Sequence, residues 1–470
     1  MLDPGIDAIF DPKTVALVGA SGEEGKMGHV FAKNLTSGYR GRVFLVNPKG
    51  GKILGHDAYR SIKDIPEGID LAVIVIPAKA VPSAMRELAE KGTKAAVVIT
   101  SGFSEAGPEG RALEEAMMEE ADRGGIKVVG PNCFGVYNCN IGLNASLGIG
   151  SSEPGGDVSF LTQSGAYGMA IFTFAIDHQM KFAKIMAHGN KAGIDDYEVV
   201  RYLGQDDDTK VICLFLESVE KGREFFDEAK KVTTKKPIIA TKTGRTAGAA
   251  RAAASHTAAI AGSFTAYEAA FKQSGIIFAQ NGMDMINIAK GLDWQPLPRG
   301  KRVGIITNSG GTGVELADLC EENGLVVPEL SKPLRSRIGA LMPEYASARN
   351  PIDMTPIWPK FVELYSKITQ MLYQSDEVDI IIPIVLQRAA LMPEVCTALA
   401  DTVNDCLSKE IRKPTYVCWV STRDGLRNMD LLQKRRVPCY DWPERTARAV
   451  GGIASYAGFL QSRGADLEGR

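Results

Sequence analysis

The chain has 470 residues, too many for one ordinary domain, and its 45% hydrophobic and 23% charged residues have the balance of a globular protein with a normal core. A formal net charge of −2 excludes a general electrostatic pull toward nucleic acid or an anionic membrane, so any bound anion must meet a local site. The opening MLDPGIDAIFDPKTV lacks the basic start and apolar run of a signal peptide, and no apolar stretch is long enough to span a bilayer; the default expectation is a cytoplasmic location with no membrane partner.

Short Val- and Ile-rich runs ending in Gly or Ser recur from the first strand onward. They are TVALVGASG (14–22), RVFLVNPKG (42–50), LAVIVIPAKA (71–80), AAVVITSGFS (95–104) and IKVVGPNC (126–133), each followed by a helix-like stretch. Runs without polar alternation read as parallel strands buried on both faces, and their alternation with helices predicts a doubly wound α/β layer. The pattern breaks at the polar, glycine-rich IGSSEPGGD (149–157). It resumes with DVSFLTQSG (157–165), FAKIMAHGN (182–190), VICLFLES (211–218) and KPIIATKTG (236–244). After a second break at GLDWQPLPRGKR (291–302), a third series starts with RVGIITNSGGTG (302–313) and continues through VDIIIPIVL, KPTYVCWVS and RRVPCYDW. Three α/β domains follow, over 1–148, 157–293 and 300–470. The second and third look related, since each passes from an apolar strand into a small-residue turn, TQSGAYG or TNSGGTG.

In the first domain the turn GASGEEGKMG carries glycines at 19, 22, 25 and 28. It is not G-x-G-x-x-G, and a tight strand-to-helix turn without a ligand explains the glycines too. Glycine also lets backbone approach a pyrophosphate at a helix N-terminus. The second strand ends VNPKGG, with Lys49 where an NAD site would carry an acid, so an extra phosphate is favoured, as in NADP or coenzyme A. With no proton donor for hydride transfer visible in this half, CoA is the better reading.

The turns at 162–170 and 307–317 each offer unpaired helix-start amides to an anion. Only five histidines (29, 56, 178, 188 and 256) compete for any imidazole chemistry, and with no H-E-x-x-H or C-x-x-C pattern no metal site is expected. His256 lies in GRTAGAARAAASHTAAIAG, a stretch nearly free of bulky side chains that reads as a loop able to bring an imidazole to a bound group. Glu217, ending VICLFLE at the ligand edge of the sheet, can hold its second nitrogen. His188, beside a glycine at a strand end, is the competitor. The eight scattered cysteines are expected to be buried free thiols.

These residues resemble the α-subunit of ADP-forming acetyl-CoA (acyl-CoA) synthetases, relatives of succinyl-CoA synthetase. The resemblance rests on VGASGEEGKMG, VNPKGG, VVGPNCFGVYN, LTQSGAYG, GNKAGIDDYE, LFLES, ASHTAAIAG, TNSGGTGVELAD and RNPIDM, and covers nearly the whole chain. It implies an N-terminal Rossmann-like CoA-binding domain and two flavodoxin-like CoA-ligase domains, the first carrying the phosphohistidine loop. The implied reaction is acyl-CoA plus phosphate and ADP giving carboxylate, CoA and ATP, through an acyl phosphate and a phosphohistidine. Carried over, His256 is the phosphorylated nucleophile and Glu217 its orienting carboxylate. Ser164, Gly165, Gly311 and Thr312 match phosphate positions; Ser21, Gly22, Glu23, Glu24, Lys49, Ile99, Thr100, Ser101 and Asn132 match positions around CoA. The family's ATP-grasp module has no counterpart here, so an ATP-grasp β-subunit, in an α2β2 assembly, is expected to bind ADP or ATP with Mg. Met169 stands where succinate-specific relatives carry tyrosine. A CoA-sensing subunit without turnover and an NADP-dependent dehydrogenase are the alternatives.

Overall fold

The computed structural model describes residues 3–148, 153–257, 263–409 and 411–467, with only the backbone of 253–257. The chain divides into two compact units, Met1–Ile276 and Ile277–Arg470.

The first unit holds two sheets. In the first, the strands run in the order Gly51–Ile53, His56–Tyr59, Arg42–Val46, Thr14–Val18, Leu71–Ile74, Ala95–Val98 and Lys127–Val129. All neighbours are parallel except the hairpin Gly51–Ile53/His56–Tyr59 at the edge. From His56–Tyr59 inward this is the Rossmann order, with its reversal at Thr14–Val18. Every residue of Thr14–Val18, Leu71–Ile74 and Ala95–Val98 is buried, which is why these strands read as unbroken apolar runs.

The second sheet of this unit runs Ile238–Lys242, Val211–Leu216, Val158–Thr162, Phe182–Ala187, then Gly135–Asn138 and Leu143–Ser146. Its first four strands are parallel in a flavodoxin-like order, and the last two form an antiparallel hairpin along Phe182–Ala187. That hairpin falls inside the 1–148 span read from sequence, yet it is the edge of the second sheet.

The second unit is built on five parallel strands in the order Ile352–Asp353, Val303–Thr307, Ile380–Leu386, Val417–Val420 and Cys439–Asp441. This is the flavodoxin order again, and its core joins Ile306, Ile381 and Val385 to Leu364, Ile368 and Leu399 from the covering helices. All eight cysteines are buried thiols outside any disulfide, as expected from their scatter. Among the described residues, no helix is long and apolar enough to cross a membrane.

Candidate functional site

The predicted first-domain residues collect at the carboxyl edge of the Rossmann sheet. Gly19, at φ +101°, and Ala20 donate their amides to Val46 O at 3.1 Å, closing the turn onto the second strand. A Cβ on Gly28 would stand 2.0 Å from Gly19 O, so the helix Met27–Thr36 can pack on the turn only with glycine there. That helix start has no side-chain cap. Ser21 Oγ accepts from Glu23 N at 3.1 Å, and exposed Glu23 pairs with Lys26. Asn47, which the sequence reading passed over, ties this turn to the next: its Nδ2 donates to Ala20 O at 2.7 Å and its Oδ1 accepts from Lys49 N at 2.9 Å. Lys49 is exposed, and its charge acts on the Glu23 carboxylate of the first turn.

Thr100 Oγ1 donates to Ile76 O at 2.6 Å, and Thr100 O accepts from Asn132 N at 2.9 Å. Ser101 and Asn132 are exposed at this edge, whereas the Ile99 side chain is buried in the core and leaves only its backbone for a ligand. Asn132, at φ +54°, donates Nδ2 to Asn190 Oδ1 at 3.3 Å, joining the two sheets of the unit.

The two hydroxyl-rich turns share one local geometry. Thr162 Oγ1 donates to Ser164 O at 2.8 Å and accepts from Ser164 N at 3.2 Å; Thr307 Oγ1 does the same with Ser309 at 2.9 and 3.0 Å. Cβ atoms on Gly168 and Gly313 would sit 2.5 and 2.9 Å from the methyls of Thr162 and Thr307. The helices that follow, Gly165–Asp177 and Gly310–Glu322, start without a side-chain cap. Gly311 is exposed in the first turn of its helix, and Thr312 Oγ1 lies 3.2 Å from Ser309 Oγ. The copies differ at their flanks. A Cβ on Gly165 would meet Phe134 at 2.9 Å, but one on Gly310 would meet the Asp353 carboxylate at 3.0 Å.

Around the first of these turns the sequence reading missed a buried polar set. Gln163, Lys191 and Asp196 surround the turn that carries Glu217 and Ser218, with Gln163 Oε1 accepting from Glu217 N at 2.7 Å. Tyr267 OH accepts from Val219 N at 3.1 Å, and its ring lies 4.9 Å from Lys242 Nζ. Burial lowers the Lys242 pKa, and the nearby Glu217 carboxylate opposes that shift. Gln and Asp in a T-Q-S turn and a D-D-Y-E helix start are common enough that only their convergence in space distinguishes them.

His256 departs from expectation. Its backbone lies in a helix, Ala247–Thr257, rather than in a loop, because AGAARAAASHT is rich in the strongest helix former. Its side chain and residues 258–262 lie outside what the structure describes.

His188 is wholly buried, and neither ring nitrogen has a hydrogen-bond partner among the described residues; Nδ1 stops 3.6 Å from Asp196 Oδ1. Burial pushes its pKa down to about 4, against the upward pull of Asp196, with Lys191, Asp195 and Glu198 also facing it. The unfolded chain takes up this proton near pH 6.5, the folded chain only near 4. Stability from this group is therefore full above pH 6.5 and is lost as pH falls toward 4, by roughly 3 kcal/mol. His188→Leu should change stability by less than about 1.5 kcal/mol at neutral pH, there being no hydrogen bond to lose. It should also flatten the acid decline in urea melts between about pH 6.5 and 4.5. An undiminished decline would assign it to other groups.

Three family models match the chain: a CoA binding domain at 13–138, a succinyl-CoA ligase like flavodoxin domain at 155–292 and a ligase-CoA domain at 303–467. The α-subunit of acetate–CoA ligase (ADP-forming) II from Pyrococcus furiosus is 38% identical, over 96% of this chain and 98% of its own length. The chain belongs to the α-subunit family of ADP-forming acetate–CoA ligases. Acetate–CoA ligase (ADP-forming) I of Archaeoglobus fulgidus is 36% identical over 96% of this chain, which spans 64% of that longer relative. Among solved structures, the dinucleotide-forming acetyl-coenzyme A synthetase 1 of Ca. Korarchaeum cryptofilum, in complex with phosphate and ADP, superposes with a TM-score of 0.91 at 34% identity. The alignment covers 99% of this chain and 100% of that one. The Rossmann turn of this ADP-forming acetate–CoA ligase α-subunit falls in the CoA binding domain match, and the two uncapped helix starts fall in the two ligase domain matches.

Proposed function

We propose that the chain handles CoA, the acyl group and phosphate in a reversible ligase: acyl-CoA, phosphate and ADP give carboxylate, CoA and ATP. The observation that carries this reading is the uncapped start of helix Gly165–Asp177 lying next to the Glu217 turn, an anion site beside a carboxylate. CoA occupies the edge formed by Ser21, Gly22, Glu23, Glu24, Lys49, Thr100, Ser101 and Asn132, with Ile99 contributing backbone alone. Phosphate sits on the amides that follow Ser164 and Gly165; Gly311 and Thr312, in the matching turn of the other unit, are phosphate positions by the same resemblance. Its oxygen attacks the thioester carbonyl, and CoA leaves as the thiolate. His256, its ring oriented by Glu217, takes the phosphoryl group from the acyl phosphate and releases carboxylate. The phosphoimidazole then serves ADP.

ADP and Mg2+ are assigned to an ATP-grasp β-subunit in an α2β2 assembly in the cytoplasm. The reading draws on the α-subunit name of the Pyrococcus relative, which this chain matches over 98% of that relative's length. Acetyl-CoA, phosphate and ADP should yield ATP when the chain is mixed with that partner, and none when it is alone. Turnover by the purified chain without a second polypeptide would overturn the division of labour.

Lys49 supplies a charge-assisted contact to a CoA phosphate. Losing one such bond costs about 1.5–3 kcal/mol, so Lys49→Ala should weaken CoA binding roughly tenfold or more. Unchanged affinity by calorimetry would remove Lys49 from the site.

A further inference from the structure

We propose that Gln163, locked by Asp196 and Lys191, is a positioning residue for Glu217; the inference rests on the reading of Glu217 as the partner of His256. Glu217 is the first residue beyond strand Val211–Leu216, where the ladder no longer receives its amide. Gln163 Oε1 takes over that task, accepting from Glu217 N at 2.7 Å and from Ser218 N at 2.9 Å. Gln163 Nε2 donates to Ser218 O at 2.7 Å and to both oxygens of Asp196 at 3.1 and 3.0 Å. Turned over, the amide would set its oxygen against a carboxylate and a carbonyl, and its NH2 against two N–H groups. Asp196 therefore fixes which end of the amide meets Glu217.

The Asp196 carboxylate is wholly buried, and Lys191 Nζ reaches it at 3.1 Å while also donating to Ser218 O at 3.2 Å. Lys191 holds a left-handed backbone, φ +58°, which a non-glycine residue adopts at a cost. Side chains from two separate segments thus end on the backbone of residues 217 and 218. A buried ion pair and a strained residue add little to stability, but they fix a geometry. What they fix here is the root of the Glu217 side chain.

The test measures single-turnover phosphorylation of His256 by γ-labelled ATP, using the full chain with its ATP-grasp partner. Gln163→Met should slow labelling by about 100-fold, the scale of a misplacement near 1 Å, with CoA affinity by calorimetry unchanged. Lys191→Met should slow it by about tenfold and Lys191→Arg should restore most of the rate, because the charge returns. If Gln163 acts through Glu217, the double variant Gln163→Met/Glu217→Gln will be no slower than Glu217→Gln alone. Losses that multiply, or a wild-type rate in Gln163→Met, overturn the proposal and leave the role of Glu217 standing. A wild-type rate in Glu217→Gln sinks the reading of Glu217 itself, and the proposal with it. Should Gln163→Met fail to fold, the same cycle run with Lys191→Met decides the question.

Discussion

His256→Ala is expected to abolish both ATP formation and the acid-labile phosphoryl label, while CoA affinity stays nearly intact. In the proposed reaction the thioester and the nucleotide are handled by different domains, so a covalent carrier would hold the phosphoryl group between them and divide one difficult transfer into two. Serine and threonine phosphates are poor donors to ADP; a phosphoimidazole keeps its transfer potential. The other histidines are poorly placed for this. His188 is sealed in the core, His178 stacks on Phe174 at 3.9 Å with Nδ1 2.9 Å from Phe174 O, and His56 belongs to the edge hairpin of the Rossmann sheet. His29 is in the helix Met27–Thr36 of the CoA-binding domain. Removing a covalent nucleophile costs on the order of 10⁴-fold or more in turnover. The label, followed by mass spectrometry, should survive alkali and vanish in acid. A label retained in His256→Ala would place the nucleophile elsewhere.

Gly28→Ala should disrupt the turn at residues 19–28 of the CoA-binding domain. The added Cβ would lie 2.0 Å from Gly19 O and 3.1 Å from Ser21 N, both backbone atoms of the turn that is to hold the pyrophosphate. No side chain can swing aside, so the helix must lift or the turn must open. Overpacking of this kind costs typically about 1–3 kcal/mol, and the displaced turn should weaken CoA binding by more than about tenfold. Gly68→Ala, where a Cβ meets nothing within 4 Å, serves as the control. Wild-type CoA affinity in Gly28→Ala would show that the turn is not the cradle.

Much of the fold was legible from local pattern alone. The buried strands Thr14–Val18, Val158–Thr162 and Val303–Thr307 announce themselves as apolar runs because both their faces are covered. The kinship of TQSGAYG and TNSGGTG extends to the same threonine–serine exchange and the same glycine-to-threonine packing. Long-range pairing was not legible. Nothing in GVYN or LNAS says that this hairpin leaves the Rossmann domain to pair with Phe182–Ala187, since the register is decided by a strand more than forty residues away. The helix around His256 was hidden by reading small residues as loop formers, when alanine is the better helix former. The Gln163–Asp196–Lys191 set escaped for a different reason: its members come from separate turns, and only burial reveals that they must satisfy one another.

The burial of every cysteine gives the protein an internal clock. Burial raises the thiols of Cys133, Cys320, Cys396 and Cys418 to about 12, so these four present almost no thiolate at neutral pH while the chain is closed. An alkylating reagent can then react only during openings, and each modified peptide reports how often its own neighbourhood comes apart. Cys133, Cys139 and Cys213 time the unit that holds the CoA binding domain and residue His256; Cys320, Cys396, Cys406, Cys418 and Cys439 time the other. Two sets of reaction rates from one sample would separate the breathing of the two units, and would register which of them a bound substrate quiets.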